Sequence, residues 1–349
     1  MSVGSISSST ISSVLQNTVT RLQGQMTTAS TESTTGLLAD IGLNLGADSG
    51  QDVALHQQMA DLTAISSSNA VVSAQLGSAS DALTNLQSTA SSVLADVVTG
   101  SASAPGSTGA LAVQQNASAA LTTFTTLANA QVGGVYVFGG INTGAAPMAS
   151  YAGGAQQAAV DAAFQSTFGF PVTSASVNTI TGAQMTGFLT NQFAALFTGA
   201  GWTGNMSSAS SAPVTNRIDA NQTVSTSLTA NDPSFQKLAQ GLSMLSEFGG
   251  LNLGASAYQA LMTNAQSTMN GANNSLITAN AAVGTMQSEV TQANSAITLQ
   301  QNILTTQMDA KEGVSSYDVA SQVTAISNQL QTAYSLTAQI HKLSLVNFL

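Results

Sequence analysis

Cysteine is absent from this chain of 349 residues, and charged side chains are scarce. Without cysteine there can be no disulfide, no thiolate metal ligand and no thiol nucleophile. Charged residues make up 6% of the sequence, against roughly 25% in soluble proteins at large. Five of them are Lys or Arg and 15 are Asp or Glu, which gives a net charge of -10. Because Lys and Arg dominate phosphate binding, this balance argues against nucleic acid and against an anionic membrane surface as partners.

Long apolar runs are also missing. No stretch approaches about 18 consecutive apolar residues, so we expect no membrane span. The opening "MSVGSISSSTISSVLQNTVTRLQ" lacks a positive n-region and an A-x-A site, so we expect no secretory signal peptide. Hydrophobic residues nevertheless reach 43%, too many for a disordered chain. The polar surface must therefore consist of Ser, Thr, Asn and Gln, a composition compatible with dense self-association.

Candidate catalytic and metal-binding residues are few. His56 and His341 are the two histidines, each alone on a predicted helix, where packing is a commoner role than metal binding. The stretch "LGADSGQD" lacks the residue order and closing Glu of a calcium loop. The stretch "GGVYVFGG" has neither G-x-G-x-x-G nor G-K-[ST]. The sequence therefore predicts no enzyme, no cofactor and no metal site.

Helical periodicity is strong near the start of the chain. Apolar residues three or four positions apart predict a first helix; they are Ile11, Leu15, Val19, Leu22 and Met26. After "TGLLADIGLNLGADSGQD" a long second helix is predicted from about Asp52 to the Pro105 segment. A third predicted helix carries Leu111, Leu121, Phe124, Leu127 and Val132 on its apolar side.

The last third of the chain has heptad spacing. Leu276, Val283, Val290, Ile297 and Leu304 follow one another at intervals of seven. After "DAKEGVSSYD" a further apolar series begins, namely Val319, Val323, Ile326, Leu330, Ala333, Ile340 and Leu343. Sustained heptads predict supercoiled helices, and an ordinary helical bundle is the alternative.

The middle of the chain is rich in Pro, Gly and Ser. The stretch "FPVTSASVNTITG" predicts short strands. Two others, "AQMTGFLTNQFAALF" and "PSFQKLAQGLSMLSEF", predict short helices, the second beginning at Asp232 and Pro233. In "GGVYVFGG" we expect a short strand and a chain reversal, with Tyr136 and Phe138 as packing anchors at a domain junction.

These patterns together predict a mainly α fold. An elongated helical bundle or coiled coil is built from both termini, with a small mixed α/β or β-rich insertion domain. The expected divisions are residues 1–140 and 251–349 for the two halves of the helical assembly domain, and 141–250 for the insertion.

Three stretches of the chain carry a resemblance to a known family. The first is "LQNTVTRLQGQMTTASTESTTGLLADIGLNLGADSGQDVALHQQMADL", and the second is "LANAQVGGVYVFGGINTGAAP". The third is "VASQVTAISNQLQTAYSLTAQIHKLSLVNFL", with an ending of the S-L-x-x-[FY]-L kind. They resemble bacterial flagellins, and more closely the hook-associated proteins of the hook–filament junction, the FlgL type. In order, they are similar to the first helix, loop and second helix of those proteins, to the segment that leads into their outer domain, and to their last helix. The loop departs from many relatives, because it reads "GADSGQD" where they have Asp-Asp-Pro.

The resemblance implies a structural subunit outside the cell, in the bacterial flagellum, without a cofactor. The implied partners are further copies of the chain, flagellin, a second hook-associated junction protein, the flagellar type III export apparatus and a chaperone. The implied assembly residues lie on the first and last helices; they are Ile11, Leu15, Leu22, Val323, Ile326, Leu330, Ile340, Leu343, Phe348 and Leu349.

Two other functions stay open at this point. A filament flagellin would share the same terminal helices, although the ending "SLVNFL" and the stretch "YVFGG" favour a junction protein. A secreted coiled-coil adhesin or effector would place a recognition surface in the insertion domain. It is less favoured, because the resemblance lies at the two ends of the chain.

Overall fold

The computed structural model describes the backbone of residues 8–346 and the side chains of residues 10–340. Most of these residues are helical, so the predicted mainly α class is confirmed. The α-helices are α1 (Ser8–Thr35), α2 (Ile41–Leu45), α3 (Ser49–Gly100), α4 (Thr108–Ala128), α5 (Ala155–Phe168), α6 (Gly182–Phe188), α7 (Gly199–Asn205), α8 (Pro233–Phe248), α9 (Ala255–Glu312) and α10 (Ser316–Val346). The strands are β1 (Gln131–Val132), β2 (Val135–Tyr136), β3 (Thr215–Asp219) and β4 (Gln222–Ser225).

The chain divides into two compact units. The terminal unit comprises Met1–Thr63 and Thr298–Leu349, and the central unit comprises Ala64–Ile297. The long helices α3 and α9 have residues in both units. These boundaries differ from the predicted three-part division, which stays a prediction about assembly and insertion domains.

In the terminal unit, α1 and α10 run antiparallel. Leu37 pairs with Gly313 at one end, and further along the side chain of Gln23 meets that of Tyr334. Sequence numbers therefore rise along one helix while they fall along the other. The Leu38 amide donates to the Glu312 carbonyl at 2.8 Å. This bond ties the segment after α1 to the end of α9.

In the central unit, α3 and α9 also run antiparallel. The Ser80 hydroxyl donates to Asn280 Oδ1 at 3.0 Å, and the buried Asn69 donates to Asn294 Oδ1 at 2.8 Å. Four of the predicted heptad positions lie in this unit and are fully buried; they are Leu276, Val283, Val290 and Ile297. The heptad pattern therefore identified the buried face of α9, as expected for helices packed along a continuous seam.

The middle of the chain is held by aromatic side chains. Phe164 packs on Phe248 with ring centroids 5.5 Å apart, and Phe188 meets both rings edge-on. The sole Trp202 is fully buried, and its Nε1 donates to Asn231 Oδ1 at 3.0 Å. The hydrogen bond satisfies the one polar atom of a large buried indole.

Both helices predicted in the middle segment are present. The α8 helix begins at Pro233, and the carboxylate of Asp232 accepts a hydrogen bond from the Ser234 amide as the helix cap. This is the pattern expected of Asp before a proline at the first helical position. The other stretch forms α6, which continues into a π-helical turn at Leu189–Phe193.

The prediction of strands in "FPVTSASVNTITG" is wrong. The stretch contains a 3-10 helix at Ala175–Thr179 instead. The Ser174 hydroxyl accepts from the Ser176 amide, and the Thr181 hydroxyl accepts from the Gln184 amide as the cap of α6. Ser and Thr used in this way stabilise turns and helix starts, so the Thr-rich alternation was not a strand signal.

The stretch "GGVYVFGG" forms a tight hairpin between β1 and β2. Val132 pairs with Val135, and the two connecting residues, Gly133 and Gly134, have φ of 61° and 80°. Two positive φ angles suit the twist of a two-residue hairpin. Val132 therefore lies in a strand, and its predicted place on the third helix is wrong because α4 ends at Ala128.

Candidate assembly surface

Part of the core of the terminal unit lies along the contact between α1 and α10. Leu22 and Ala29 on α1 are buried, as are Val319 and Ala333 on α10. The spacing of these residues places them on one face of each helix. Among the residues of the two helices whose side chains are described, these four are the buried ones and two of them are alanines, so this part of the contact supplies little apolar burial.

An apolar groove runs between the two helices. It encloses about 440 Å³, and its lining residues are Leu15, Thr18, Arg21, Leu22, Asn328, Gln329, Thr332, Ala333 and Leu336. Leu336 remains 45% exposed at its edge. The groove therefore offers uncovered apolar surface next to the buried residues of the pair.

The structure distributes the predicted assembly residues over three environments. Leu22 is buried and Ile11 is exposed. The half-buried members are Leu15, Val323, Ile326, Leu330 and Ile340. The side chain of Leu343, together with Phe348 and Leu349, lies outside the described residues. The assembly role of this set stays a prediction.

Some residues of this surface were absent from the predicted set. Val14 and Leu336 are exposed apolar side chains on α1 and α10, and Tyr334 accepts the hydrogen bond from Gln23 at 3.0 Å. These residues lie beside the heptad positions. The spacing of one apolar helix face therefore does not identify them. Val14 and Leu336 could have been found as apolar residues outside that face.

Tyr136 and Phe138, the predicted junction anchors, lie in the central unit. Phe138 is fully buried, and its ring centroid lies 4.9 Å from that of Phe235 on α8. Tyr136 is half-buried, and its amide donates to the Thr143 carbonyl at 3.0 Å. The packing of Phe138 joins the chain after the β1–β2 hairpin to α8, and the role of both residues at a domain junction stays a prediction.

A polar cleft of about 440 Å³ lies in the central unit, and its lining includes Tyr151, Gln157 and Glu247. Burial raises the pKa of the Tyr151 hydroxyl. Burial, and then the charge of Asp161, raises the pKa of Glu247. Gln157 Nε2 donates to Glu247 Oε1 at 2.7 Å. Glu247 is therefore a partly buried carboxyl that is hydrogen-bonded to Gln157.

His56, which the sequence places alone on its helix, has close acidic neighbours in the structure. Its Nε2 lies 2.5 Å from Glu312 Oε1 and 4.0 Å from Asp52 Oδ2. His56 is the one histidine of α3, and its role stays a prediction. The separation of four residues between Asp52 and His56 was a readable signal, since residues at i and i+4 share a helix face, but nothing in the pattern pointed to Glu312.

Among the residues described, no helix combines the length and the apolar character needed to cross a membrane.

The fold and this surface together define a class of mainly helical protein whose first and last helices pair with each other. Residues 6–143 match the family model of the bacterial flagellin N-terminal helical region. Residues 267–349 match that of the bacterial flagellin C-terminal helical region. The chain belongs to the flagellin superfamily, a structural and non-enzymatic family of the flagellum.

The fold is similar to that of a solved structure from Vibrio parahaemolyticus, a protein assigned as flagellar hook-associated. The TM-score is 0.53 at 10% sequence identity, with 76% of this chain and 97% of that chain covered. At this identity the similarity concerns the fold. No curated protein matches the chain in sequence.

Proposed function

We propose that this chain is the structural subunit that joins the hook of the bacterial flagellum to its filament, and that it assembles through α1 and α10. The observation that carries the proposal is the groove between these helices, in which the lining residue Leu336 is 45% exposed. The matches to both flagellin helical regions support a flagellar role. The similarity of the C-terminal sequence to junction proteins supports the finer assignment.

Assembly is energetically reasonable for this surface. Each apolar side chain that a neighbouring copy covers contributes on the order of 1.5–3 kcal/mol. Two paired helices with a narrow buried seam gain most of their stability from tertiary packing. The chain also carries few charges, so repulsion between copies is weak. Copies of the chain therefore stabilise one another when their terminal units meet.

The partners follow from this place in the flagellum. They are further copies of the chain, flagellin on the filament side and a second hook-associated junction protein on the hook side. A chaperone and the type III export apparatus deliver the subunit to the outside of the cell.

A filament flagellin is the second candidate. The family matches favour it equally, since both kinds of protein carry the two flagellin helical regions. Stoichiometry separates the candidates, because a junction protein is scarce and a filament flagellin is the bulk subunit.

Deletion of the gene tests the proposal. We expect hooks without filaments in electron micrographs, and flagellin monomers in the culture medium. Loss of the bulk filament protein itself, with no monomer released, supports a filament flagellin instead. Intact filaments and normal swimming overturn both readings and direct attention to a secreted adhesin or effector.

Complementation of the deletion strain tests the surface. Leu336→Gln changes a side chain that is 45% exposed, so we expect a folded, exported chain that assembles poorly. Leu43→Gln, at an 81% exposed leucine of the same unit, is the matched control and should restore filaments. Full restoration by Leu336→Gln contradicts assembly through this groove.

A further inference from the structure

We propose that Asp52, His56 and Glu312 form a zinc-binding site in the terminal unit. The inference concerns residues outside the α1–α10 groove and does not depend on the proposed place in the flagellum. One ligand atom from each of the three side chains lies within 4.8 Å of the other two.

The backbone brings these side chains together from two long helices. Asp52 lies in the first turn of α3, and His56 follows it by four residues on the same helix. Residues at i and i+4 lie on the same helix face. Glu312 is the last residue of α9, and its backbone carbonyl accepts from the Leu38 amide at 2.8 Å. The three ligand groups therefore stand on fixed helical backbone.

The two carboxylates are buried with little positive charge beside them. Asp52 is 5% exposed and Glu312 is 4% exposed. Lys311 is the residue before Glu312. Its Nζ lies 3.7 Å from Asp48 Oδ2 and donates to Gln51 Oε1 at 3.1 Å. His56 is thus the side chain that faces both carboxylates. Two buried carboxylates against a single imidazole leave negative charge in a poorly solvated place, which costs free energy unless a cation offsets it.

A second observation points to a ligand. The Oδ1 atom of Asp52 is buried and has no hydrogen-bond partner among the residues that the structure describes. Buried carboxylate oxygens are normally hydrogen-bonded or bound to a metal. About half of the His56 side chain is exposed, so solvent reaches the cluster on the imidazole side. A cation could therefore enter past the imidazole and meet the unsatisfied carboxylate.

The ligand set favours zinc. One imidazole nitrogen with two carboxylate oxygens matches the nitrogen and oxygen ligands of zinc sites, with water in the fourth position. Magnesium and calcium prefer oxygen-only sites. Ligand atoms around tetrahedral zinc lie about 3.3 Å apart, as metal–ligand bonds of about 2.0–2.1 Å require. The His56–Glu312 separation of 2.5 Å and the His56–Asp52 separation of 4.0 Å bracket that value, so each must change by somewhat less than about 1 Å, which side-chain rotation can supply.

Zinc binding replaces one interaction of the metal-free chain. In the present arrangement, His56 Nε2 donates to Glu312 Oε1, because a carboxylate only accepts. For zinc to take the lone pair of that nitrogen, the proton must leave Nε2, and the neutral imidazole then carries its one proton on Nδ1. The metal thereby connects the first turn of α3 to the last turn of α9 within the terminal unit. It stabilises the folded chain by mass action, since the unfolded chain does not hold the three ligands together.

Calorimetric titration of the full chain with zinc chloride tests the site. We expect one zinc per chain and a rise in Tm on zinc addition, with magnesium producing neither. Glu312→Gln keeps the size of the side chain and an oxygen that can accept from His56, so the fold should persist. We expect this variant and Asp52→Asn each to weaken zinc binding at least about tenfold. Asp61→Asn, at an exposed carboxylate of α3, is the matched control and should bind as the unmodified chain does.

Two further measurements keep the test decisive. His341→Gln removes the second histidine of the sequence and should leave zinc binding intact. Cobalt(II) bound to the unmodified chain should give the visible absorption of a four-coordinate nitrogen and oxygen site, whatever the stability of the variants. Absence of zinc binding, binding that survives Glu312→Gln and Asp52→Asn unchanged, or binding that depends on His341 overturns the proposal.

Discussion

The side chain of Gln23 on α1 donates a 3.0 Å hydrogen bond to the hydroxyl of Tyr334 on α10, across 311 positions of sequence. The bond fixes the antiparallel alignment of the first and last helices at one point. Leu22 and Ala333, the neighbours of these two residues, are buried. A side-chain hydrogen bond therefore lies next to buried apolar residues where the first and last helices pair.

Leu22→Ala is expected to loosen the α1–α10 pair. Removal of a buried leucine side chain typically costs about 2–5 kcal/mol, through lost transfer free energy and the cavity left behind. Hydrogen exchange followed by mass spectrometry should show faster exchange of α1 and α10 peptides. Leu43→Ala, at an 81% exposed leucine, is the control. Equal exchange in the two variants contradicts a structural role of Leu22 in this pair.

Gly140→Ala is expected to destabilise the central unit by about 2–4 kcal/mol, from a left-handed backbone and a steric clash. Gly140 has φ of 60°, and a Cβ there would lie 2.5 Å from the Ser210 carbonyl oxygen and 2.6 Å from that of Ala212. Denaturant unfolding measures the change. Gly144→Ala, where a Cβ meets nothing within 4 Å, should be nearly neutral. Similar losses at both glycines show that the close approach at Gly140 is unimportant.

Phe138→Ala is expected to lower the free energy of unfolding by about 3–5 kcal/mol, the usual cost of removing a buried aromatic ring. Phe138 is fully buried against Phe235. Phe170→Ala serves as comparison, because the Phe170 ring is only partly buried and should cost less. Both variants are measured by denaturant unfolding, and an equal or smaller loss at Phe138 contradicts its role as an anchor.

Glu247→Gln is expected to change how stability depends on pH. Burial raises the pKa of Glu247 above its ordinary value of 4.5, so the folded chain holds this proton to a higher pH than the unfolded chain. From about that ordinary value up to the raised pKa, the folded state binds more protons, and the free energy of unfolding falls as pH rises. Gln cannot ionise, and its side-chain oxygen can still accept the hydrogen bond from Gln157. The free energy of unfolding of the variant should therefore lack the fall with pH that ionisation of Glu247 causes.

Unfolding curves at a series of pH values check the Glu247 prediction. The variant should be more stable than the unmodified chain at neutral pH and closer to it at pH 4. Glu289→Gln, at a partly exposed glutamate of the same unit, is the matched control for the loss of one carboxylate. A neutral-pH stability that does not rise in Glu247→Gln rules out the burial argument.

Local residue chemistry correctly predicted three features of the fold. Asp232 and Pro233 predicted the start of α8, because a carboxylate cap and a fixed φ act within one helical turn. The interval of seven from Leu276 to Ile297 predicted a buried face of α9. The glycines of "GGVYVFGG" predicted a chain reversal, since two adjacent residues must adopt positive φ there. The Thr-rich stretch around Val177 misled, because hydroxyl side chains serve turns and helix caps as well as strands.

What the sequence by itself determined is the helical character of both ends, the buried face of α9 and the weakness of electrostatic repulsion between copies. These properties depend on composition and on spacing within one segment. Only the tertiary structure decided that His56 meets Glu312 across 256 positions, and that Phe138 packs on Phe235. The physical reason is that periodicity shows which face of a helix is apolar but carries no information about the distant segment that covers it. Partners far apart in the chain are chosen by how whole helices pack.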